Sequence, residues 1–267
     1  MEYQVFDMHV HVFPDNIAKK AVNNLGKYYH VPMAADGTWE AFRESLAEAP
    51  CIRKCLIHST ATKASQVESV NNFVAAHIGG MLLGFGSMHP DYPHIEEEID
   101  RMIELGLRGI KLHTDFQGFP ADAACADRIY KYAEGKLPIL FHAGDATVDN
   151  SSPKRIRNVH DRFPNLTIIA AHLGGYSVWD DAEKYLVGTD VYLDTSSTLQ
   201  SIDKDQARRM IRRHGVDKCL FGTDFPMHNQ KKTVEDFLAL GLTEEENRKI
   251  FWENSQKLFG VDDRCGS

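Results

Sequence analysis

The sequence predicts an α/β fold in a single domain, a (β/α)8 TIM barrel, and three observations lead to it. Short apolar runs alternate with segments of helical periodicity along a chain of 267 residues, a length typical of such a barrel. Polar residues follow most of those runs, as they would around one mouth of a barrel. No glycine-rich phosphate turn follows the first run, which disfavours the rival arrangement, a doubly wound open sheet.

Eight runs have the length and composition of buried strands. Each is short, rich in β-branched residues, leucine and phenylalanine, and bounded by turn residues. The predicted strands are Val5–Val12, Lys54–Ser59, Leu82–Met88, Gly109–Thr114, Ile139–Ala143, Thr167–Leu173, Val191–Thr195 and Lys218–Thr223.

The segments between these runs have the periodicity of amphipathic helices. Ile95–Leu105 places apolar residues on one face and acidic residues on the other, and Gln206–His214 and Thr243–Phe259 follow the same pattern. The pair Thr243–Glu246 fits a capping box. The stretch 15–50 is longer than one helix needs, so we expect a helical insert near the barrel mouth.

Composition and charge exclude several classes of function. A net charge of −8 gives no basic surface for a nucleic-acid backbone. The chain contains no apolar stretch of membrane-spanning length, and its start lacks the pattern of a signal peptide. An odd number of cysteines without a regular spacing is typical of a reducing compartment, so we expect a cytoplasmic protein. The cysteines are Cys51, Cys55, Cys125, Cys219 and Cys265.

His9 and His11 lie two residues apart in the first predicted strand. Side chains alternate between the faces of a strand, so both imidazoles project from the same face. This arrangement suits a metal ion, whose nitrogen ligands lie about 2 Å away. Asp7 is on the same face one layer deeper and is expected to support the strand from within. Histidines that only form hydrogen bonds fit the pair alone equally well, so the rest of the chain must decide.

Nearly every predicted strand delivers a histidine, lysine or aspartate at its carboxyl end, where barrel active sites are built. Random placement would scatter these residues over helices and loops. Their shared location therefore predicts one site. The residues are His9, His11, His58, His89, Lys111, His113, His142, His172, Asp194 and Asp224.

Five segments carry a resemblance to a known family: Asp7–His11, Leu140–Gly144, Ala170–Gly175, Phe221–Pro226 and Asn254–Phe259. They resemble the motifs of the amidohydrolase superfamily. More narrowly, they resemble its amidohydrolase-2 branch, which includes the aminocarboxymuconate-semialdehyde decarboxylase-like enzymes. The resemblance runs in order along nearly the whole chain. It is specific for superfamily and fold, and weak for substrate.

The resemblance implies a metal-dependent enzyme with His9, His11, His142 and Asp224 as ligands. Such a donor set suits one Zn²⁺, with Mn²⁺, Fe²⁺ and Co²⁺ as alternatives. Asp224 and His172 are then the implied catalytic residues. Asp224 would take the proton from an activated water, and His172 would orient that water or stabilise the charge that develops.

Lys111 determines how many metal ions the resemblance implies. Binuclear members of the superfamily carry a carbamylated lysine at the end of this strand, which makes Lys111 and His172 candidates for second-metal ligands. Members of the amidohydrolase-2 branch usually hold one ion, and we favour one. Lys111, His113 and Asp194 are then candidates for contacts with substrate.

Three functions stay open. We favour a hydrolase acting on a small lactone, cyclic amide, ester or amide through a metal-activated water. The alternative is a non-oxidative decarboxylase of a small aromatic or unsaturated carboxylic acid, for which the strand ends offer no evident arginine. The third is a metal-binding barrel without catalysis. The expected partner is a small-molecule substrate, with no nucleic acid or membrane, and the resemblance also implies a homodimer.

Overall fold

The computed structural model describes residues 3–260, so Cys265 lies outside the described residues. Eight parallel strands form one sheet in chain order, and the predicted (β/α)8 TIM barrel is confirmed. The strands are β1 (Val5–His11), β2 (Ile52–His58), β3 (Leu82–Ser87), β4 (Ile110–Leu112), β5 (Ile139–Phe141), β6 (Ile168–Ala170), β7 (Tyr192–Asp194) and β8 (Cys219–Leu220).

Hydrogen bonds between β1 and the segment after β8 close the barrel. The backbone N–H of Met8 donates to the carbonyl of Phe221 at 2.8 Å, and that of Asp224 donates to the carbonyl of His9 at 2.8 Å. His11 continues the pairing with the carbonyl of Phe225 at 2.8 Å. This closure rules out the open sheet and places the end of β8 directly beside the histidines of β1.

Helices follow the strands and cover the outside of the barrel. The capping box is present, since the Thr243 hydroxyl accepts from the Glu246 N–H and the Glu246 carboxylate accepts from the Thr243 N–H. The helices are α1 (Asp15–Tyr29), α2 (Trp39–Glu48), α3 (Val67–Ala75), α4 (Ile95–Glu104), α5 (Thr114–Gln117), α6 (Asp127–Ala133), α7 (Pro153–Arg162), α8 (Trp179–Tyr185), α9 (Lys204–His214), α10 (Gln230–Leu238), α11 (Glu244–Arg248) and α12 (Asn254–Phe259). Among the described residues, no helix is long and apolar enough to cross a membrane.

A cluster of apolar side chains fills the barrel interior below the carboxyl ends of the strands. Phe6, Met8, Phe85 and Leu140 are among its fully buried members. Gly109 makes room for one of them, because a Cβ at that position would lie 2.3 Å from the Phe85 ring. The packed interior leaves the carboxyl ends of the strands as the place where polar side chains can meet.

Candidate active site

His9 is held by a buried carboxylate at the end of β7. Its Nδ1 lies 2.9 Å from Asp194 Oδ2, and both side chains are fully buried. Because Asp194 is ionised, with a pKa well below its usual range beside His9 and His172, His9 Nδ1–H donates and Nε2 keeps its lone pair. The same hydrogen bond is the usual support of a metal-ligating histidine. Burial lowers the pKa of His9 to about 4, so the ring is neutral at pH 7.

Asp224 faces the two histidines of β1. Its Oδ1 lies 3.1 Å from His11 Nε2 and 3.5 Å from His9 Nε2, while Oδ2 accepts from the Ser197 hydroxyl. The neighbouring imidazoles, His9 first, hold the pKa of Asp224 well below its usual range despite burial. An ionised carboxylate and two imidazole nitrogens therefore converge on one point.

His142 and His172 face each other at the ends of β5 and β6. His172 Nδ1 lies 2.9 Å from the Ser196 carbonyl, and His142 Nε2 lies 3.0 Å from the Gly144 carbonyl. A carbonyl only accepts, so both of these nitrogens carry hydrogen. The two remaining nitrogens, His172 Nε2 and His142 Nδ1, are 3.0 Å apart and each offers a lone pair in the neutral form. Such a pair needs a cation between its members, either a proton or a metal ion.

Lys111 lies deeper, in the middle of β4. It is fully buried, and its ammonium is 3.3 Å from His9 Nε2. Burial lowers its pKa to about 8, with Asp194 and Asp224 opposing that shift. Lys111 is therefore close to a candidate metal ligand, His9, as the alternative of a second metal requires. It does not line the cavity described below, where a substrate would bind.

The donor set fits a divalent cation. Ligand atoms of His9, His172 and Asp224 lie within 4.8 Å of one another, and those of His9, His11 and His58 form a second such group. Tetrahedral ligands about 2 Å from an ion are about 3.3 Å apart, so small rotations would bring these atoms into place. His142 belongs to neither of these groups, but its Nδ1 lies 3.0 Å from Nε2 of His172, a member of the first. It also forms a third group with His113 and Asp115.

Two residues of the site have backbone conformations that L-residues seldom adopt. His172 has φ +62° and Asp224 has φ +65°. Each such residue costs about 1–3 kcal/mol, and this strain is found mostly at functional positions, where the surrounding structure enforces it. Here it turns both side chains from the strand ends towards the centre.

A cavity of about 580 Å³ leads from the site to the surface. Its inner end is formed by His11, His113, His142, His172 and Asp224. Its walls are largely apolar and aromatic, and they include Phe13, Ile17, Leu25, Tyr28, Tyr29, Met33, Phe73, Phe116 and Tyr176. Asp194 is not among the lining residues, because it lies behind His9.

The sequence did not identify the contribution of α1. This helix lies in the stretch expected to be an insert, and five of its residues before Tyr29 line the cavity. Tyr29 reaches His113 Nε2 at 3.1 Å, and Tyr28 donates to Asp145 at 3.1 Å. The signal available in the sequence was the pair of adjacent tyrosines at the end of an amphipathic segment. That pair does not show whether either side chain points towards the barrel mouth.

Comparison with known proteins identifies the family of this chain. The model of the family described as amidohydrolase matches residues 6–261, nearly the whole chain. A curated relative, the γ-resorcylate decarboxylase of Polaromonas sp., is 29% identical over 163 residues, which are 54% of this chain. The chain spans about half the length of that relative, 48%.

Two solved structures share the fold across nearly all of both chains. A dihydroxybenzoic acid decarboxylase from Polaromonas sp. JS666, with bound manganese and 2-nitroresorcinol, has a TM-score of 0.74 at 17% identity, with 97% of each chain covered. A probable 2-pyrone-4,6-dicarboxylic acid hydrolase from Acinetobacter baumannii, with citric acid bound, has a TM-score of 0.71 at 15% identity, covering 97% of this chain and 100% of the other.

Proposed function

This chain belongs to the amidohydrolase family and is an enzyme of that superfamily, and we propose that it is a metal-dependent, non-oxidative decarboxylase of a small aromatic acid. The observation that carries the proposal is the cavity: its inner end holds imidazoles and a carboxylate, and its walls are aromatic and apolar. The γ-resorcylate decarboxylase that it resembles acts, by its name, on an acid of this type.

The walls favour a substrate with one charged group. Among the described residues, none that lines the cavity is a lysine or an arginine. A second carboxylate would therefore stay unpaired in an apolar site, at a cost of several kcal/mol. In the sequence, the lack of an arginine at the strand ends favoured hydrolysis. An arginine is needed only to pair with such a second anionic group, so its absence does not disfavour decarboxylation of a monocarboxylic acid. A monocarboxylic aromatic acid fits, since its ring packs on the walls and its carboxylate faces the donor cluster.

The ligands that we propose for one divalent cation, with Zn²⁺ first and Mn²⁺ second, are His9, His11, His142 and Asp224. When bound, such a cation would neutralise and orient the substrate carboxylate as a Lewis acid. His9 and Asp224 are held for this role by Asp194 and Ser197 respectively. The ring of the substrate would lie between the strand ends and α1.

His172 is the proposed proton donor. With His142 turned to the cation, His172 Nε2 would be free to carry the proton that is transferred, while His172 Nδ1 stays bonded to the Ser196 carbonyl. The bond between the ring carbon and the carboxylate carbon breaks, carbon dioxide leaves, and this proton forms the new C–H bond. General acid catalysis of this kind contributes about 10²–10⁴-fold to a rate.

The apolar walls would also promote the step by excluding water. A carboxylate moved from water to an apolar cavity loses hydration, and its charge disperses as carbon dioxide forms. Phe116 stacks on the His113 ring with centroids 3.9 Å apart, and Tyr28 packs on Phe116 at 4.9 Å. These rings shield the inner end of the cavity.

Hydrolysis of a neutral lactone or ester is the second candidate. The same lack of cations on the walls suits a neutral substrate, and the ionised Asp224 at the inner end is placed to accept a proton from water. In that reaction water adds to the carbonyl carbon, the bond to the leaving oxygen breaks, and Asp224 passes the proton to that oxygen.

A substrate panel separates the two reactions. Enzyme loaded with Zn²⁺ or Mn²⁺ is incubated in deuterated water with hydroxybenzoic acids, neutral lactones and aryl esters. Decarboxylation releases carbon dioxide and leaves deuterium at the vacated ring carbon, whereas hydrolysis releases acid without carbon dioxide. Phe116→Ala should raise KM for the aromatic acid about tenfold, and Leu238→Ala, 39% exposed on α10 and outside the cavity, is the matched control. Acid release from lactones with no carbon dioxide from any benzoic acid would refute the decarboxylase.

A further inference from the structure

His58 is a buried histidine for which the mechanism above has no role. It ends β2, pairs in register with His11, and is fully buried. It does not line the cavity, although Ser59 and Thr60 directly after it do. The side chain therefore lies behind the cavity wall, at the level of the metal-binding donors of β1.

Neither ring nitrogen of His58 has a hydrogen-bond partner within the part of the chain that the structure describes. A neutral imidazole carries one N–H donor and one lone pair, and buried groups of this kind are almost always paired. Elsewhere in the chain, the buried His214 uses Nδ1 to accept the Gly188 N–H. The complete lack of partners at His58 points to a ligand that protein atoms do not supply.

The neighbours of His58 identify the chemistry of that ligand. Its ring lies 4.7 Å from the His9 ring and 4.5 Å from the His11 ring, edge-on to both at 75° and 81°. One nitrogen from each of the three histidines lies within 4.8 Å of the others. Three imidazoles on two adjacent strands form a face of nitrogen donors that suits a borderline divalent cation.

We propose that His58 is a further ligand of the metal centre, completing a three-imidazole face with His9 and His11. The inference rests on the proposed metal dependence of the enzyme and adds a donor to the set that the family resemblance implies. Because His58 does not line the cavity, it would bind a cation from the side away from the substrate. A coordination number of five is accessible to zinc, manganese and cobalt.

The test measures metal binding, independently of turnover. Metal-free wild type, His58→Gln and His58→Leu are titrated with Zn²⁺ against a chromophoric chelator, and with Co²⁺ while the visible spectrum is recorded. We expect both variants to lose at least tenfold in Zn²⁺ affinity and to show an altered Co²⁺ spectrum. His214→Gln, a buried histidine remote from the site, should match wild type in both measurements.

Affinity within twofold of wild type and an unchanged Co²⁺ spectrum in both variants would overturn the proposal. A variant that fails to fold does not leave the question open, because wild type answers it directly. In crystals loaded with Zn²⁺, anomalous scattering should place the ion about 2 Å from a His58 nitrogen, and a separation beyond 3 Å contradicts ligation. If zinc binding depends on His58 but no acid is decarboxylated, the proposed reaction fails and this inference stands.

Discussion

Replacing Asp194 by asparagine should change which nitrogen of His9 carries hydrogen. Asp194 Oδ1 accepts from the backbone N–H groups of Ser196 at 2.9 Å and His172 at 3.2 Å, and Oδ2 accepts from His9 Nδ1 at 2.9 Å. In the variant, the two N–H donors fix the amide oxygen on their side. The amide NH₂ must then face His9 Nδ1, which can only accept, so the hydrogen of the neutral ring moves to Nε2.

The magnitude follows from the loss of a ligand lone pair. When the hydrogen is on Nε2, that nitrogen of His9 has no lone pair for the metal. Moving the hydrogen back to Nδ1 would free the lone pair, but it would place the Nδ1–H against an N–H of the asparagine amide. Loss of a supporting partner typically costs 10–100-fold in metal affinity, and the reversed hydrogen bond places this variant at the upper end, about 100-fold or roughly 2.7 kcal/mol. Because the buried pair is also broken, we expect the metal-free variant to be less stable by about 3 kcal/mol.

Zn²⁺ competition against a chelator measures the effect on affinity, and urea unfolding of the metal-free protein measures the effect on stability. Asp161→Asn is the control, since Asp161 pairs with Arg157 on the exposed face of α7 and should leave Zn²⁺ affinity unchanged. If Asp194→Asn binds Zn²⁺ within threefold of wild type, the reasoning about the His9 tautomer is refuted.

Three further predictions concern proton uptake, proton transfer and metal content. Burial lowers the pKa of His9 from 6.5 to about 4, so below pH 6.5 the unfolded chain takes up a proton that the folded chain refuses. The contribution of His9 to the free energy of unfolding of the metal-free protein should therefore fall by about 3 kcal/mol between pH 6.5 and pH 4. Urea unfolding should show that the stability of His9→Asn depends less steeply on pH than that of wild type. His172→Gln should lower kcat by about 10²–10⁴-fold with the Zn²⁺ content retained, and unchanged kcat would exclude His172 as the proton donor. Elemental analysis should return one metal per chain, and two metals with a carbamylated Lys111 in the intact mass would establish the binuclear alternative.

The fold could be predicted from the sequence because its pattern is local. Strand composition and turn residues located all eight strands, although β4 to β8 are shorter than predicted, with two or three residues each. The predicted ends of those strands, such as Thr223 and Leu173, belong to the segments that leave the barrel. The helix 243–259 contains a π-helical stretch at Lys249–Glu253 that the 3.6-residue period does not reveal.

The site was only partly predictable, because its geometry depends on pairing between distant residues. Strand-end histidines were recognised as a group, but the facing nitrogens of His142 and His172 result from the positive φ of His172 and from two carbonyl partners. Similarly, Asp194 could be placed at the end of β7, whereas its contact with His9 depends on the closed barrel bringing β7 near β1. Sequence spacing carries no information about either contact.

Asp7 helps to keep the candidate metal ligands of β1 and of the segment after β8 in register. One oxygen of this fully buried carboxylate accepts from the Thr223 N–H at 2.9 Å and the His9 N–H at 3.3 Å, and the other accepts from the Thr223 hydroxyl at 2.6 Å and Gln230 at 2.8 Å. Thr223 directly precedes Asp224, so a single side chain fixes the backbone beside His9 and beside Asp224. Because His9 and Asp224 are far apart in sequence, their separation is set by this carboxylate together with the backbone hydrogen bond from the Asp224 N–H to the His9 carbonyl. The Asp-x-His-x-His pattern therefore combines a structural carboxylate with the two imidazoles that it positions.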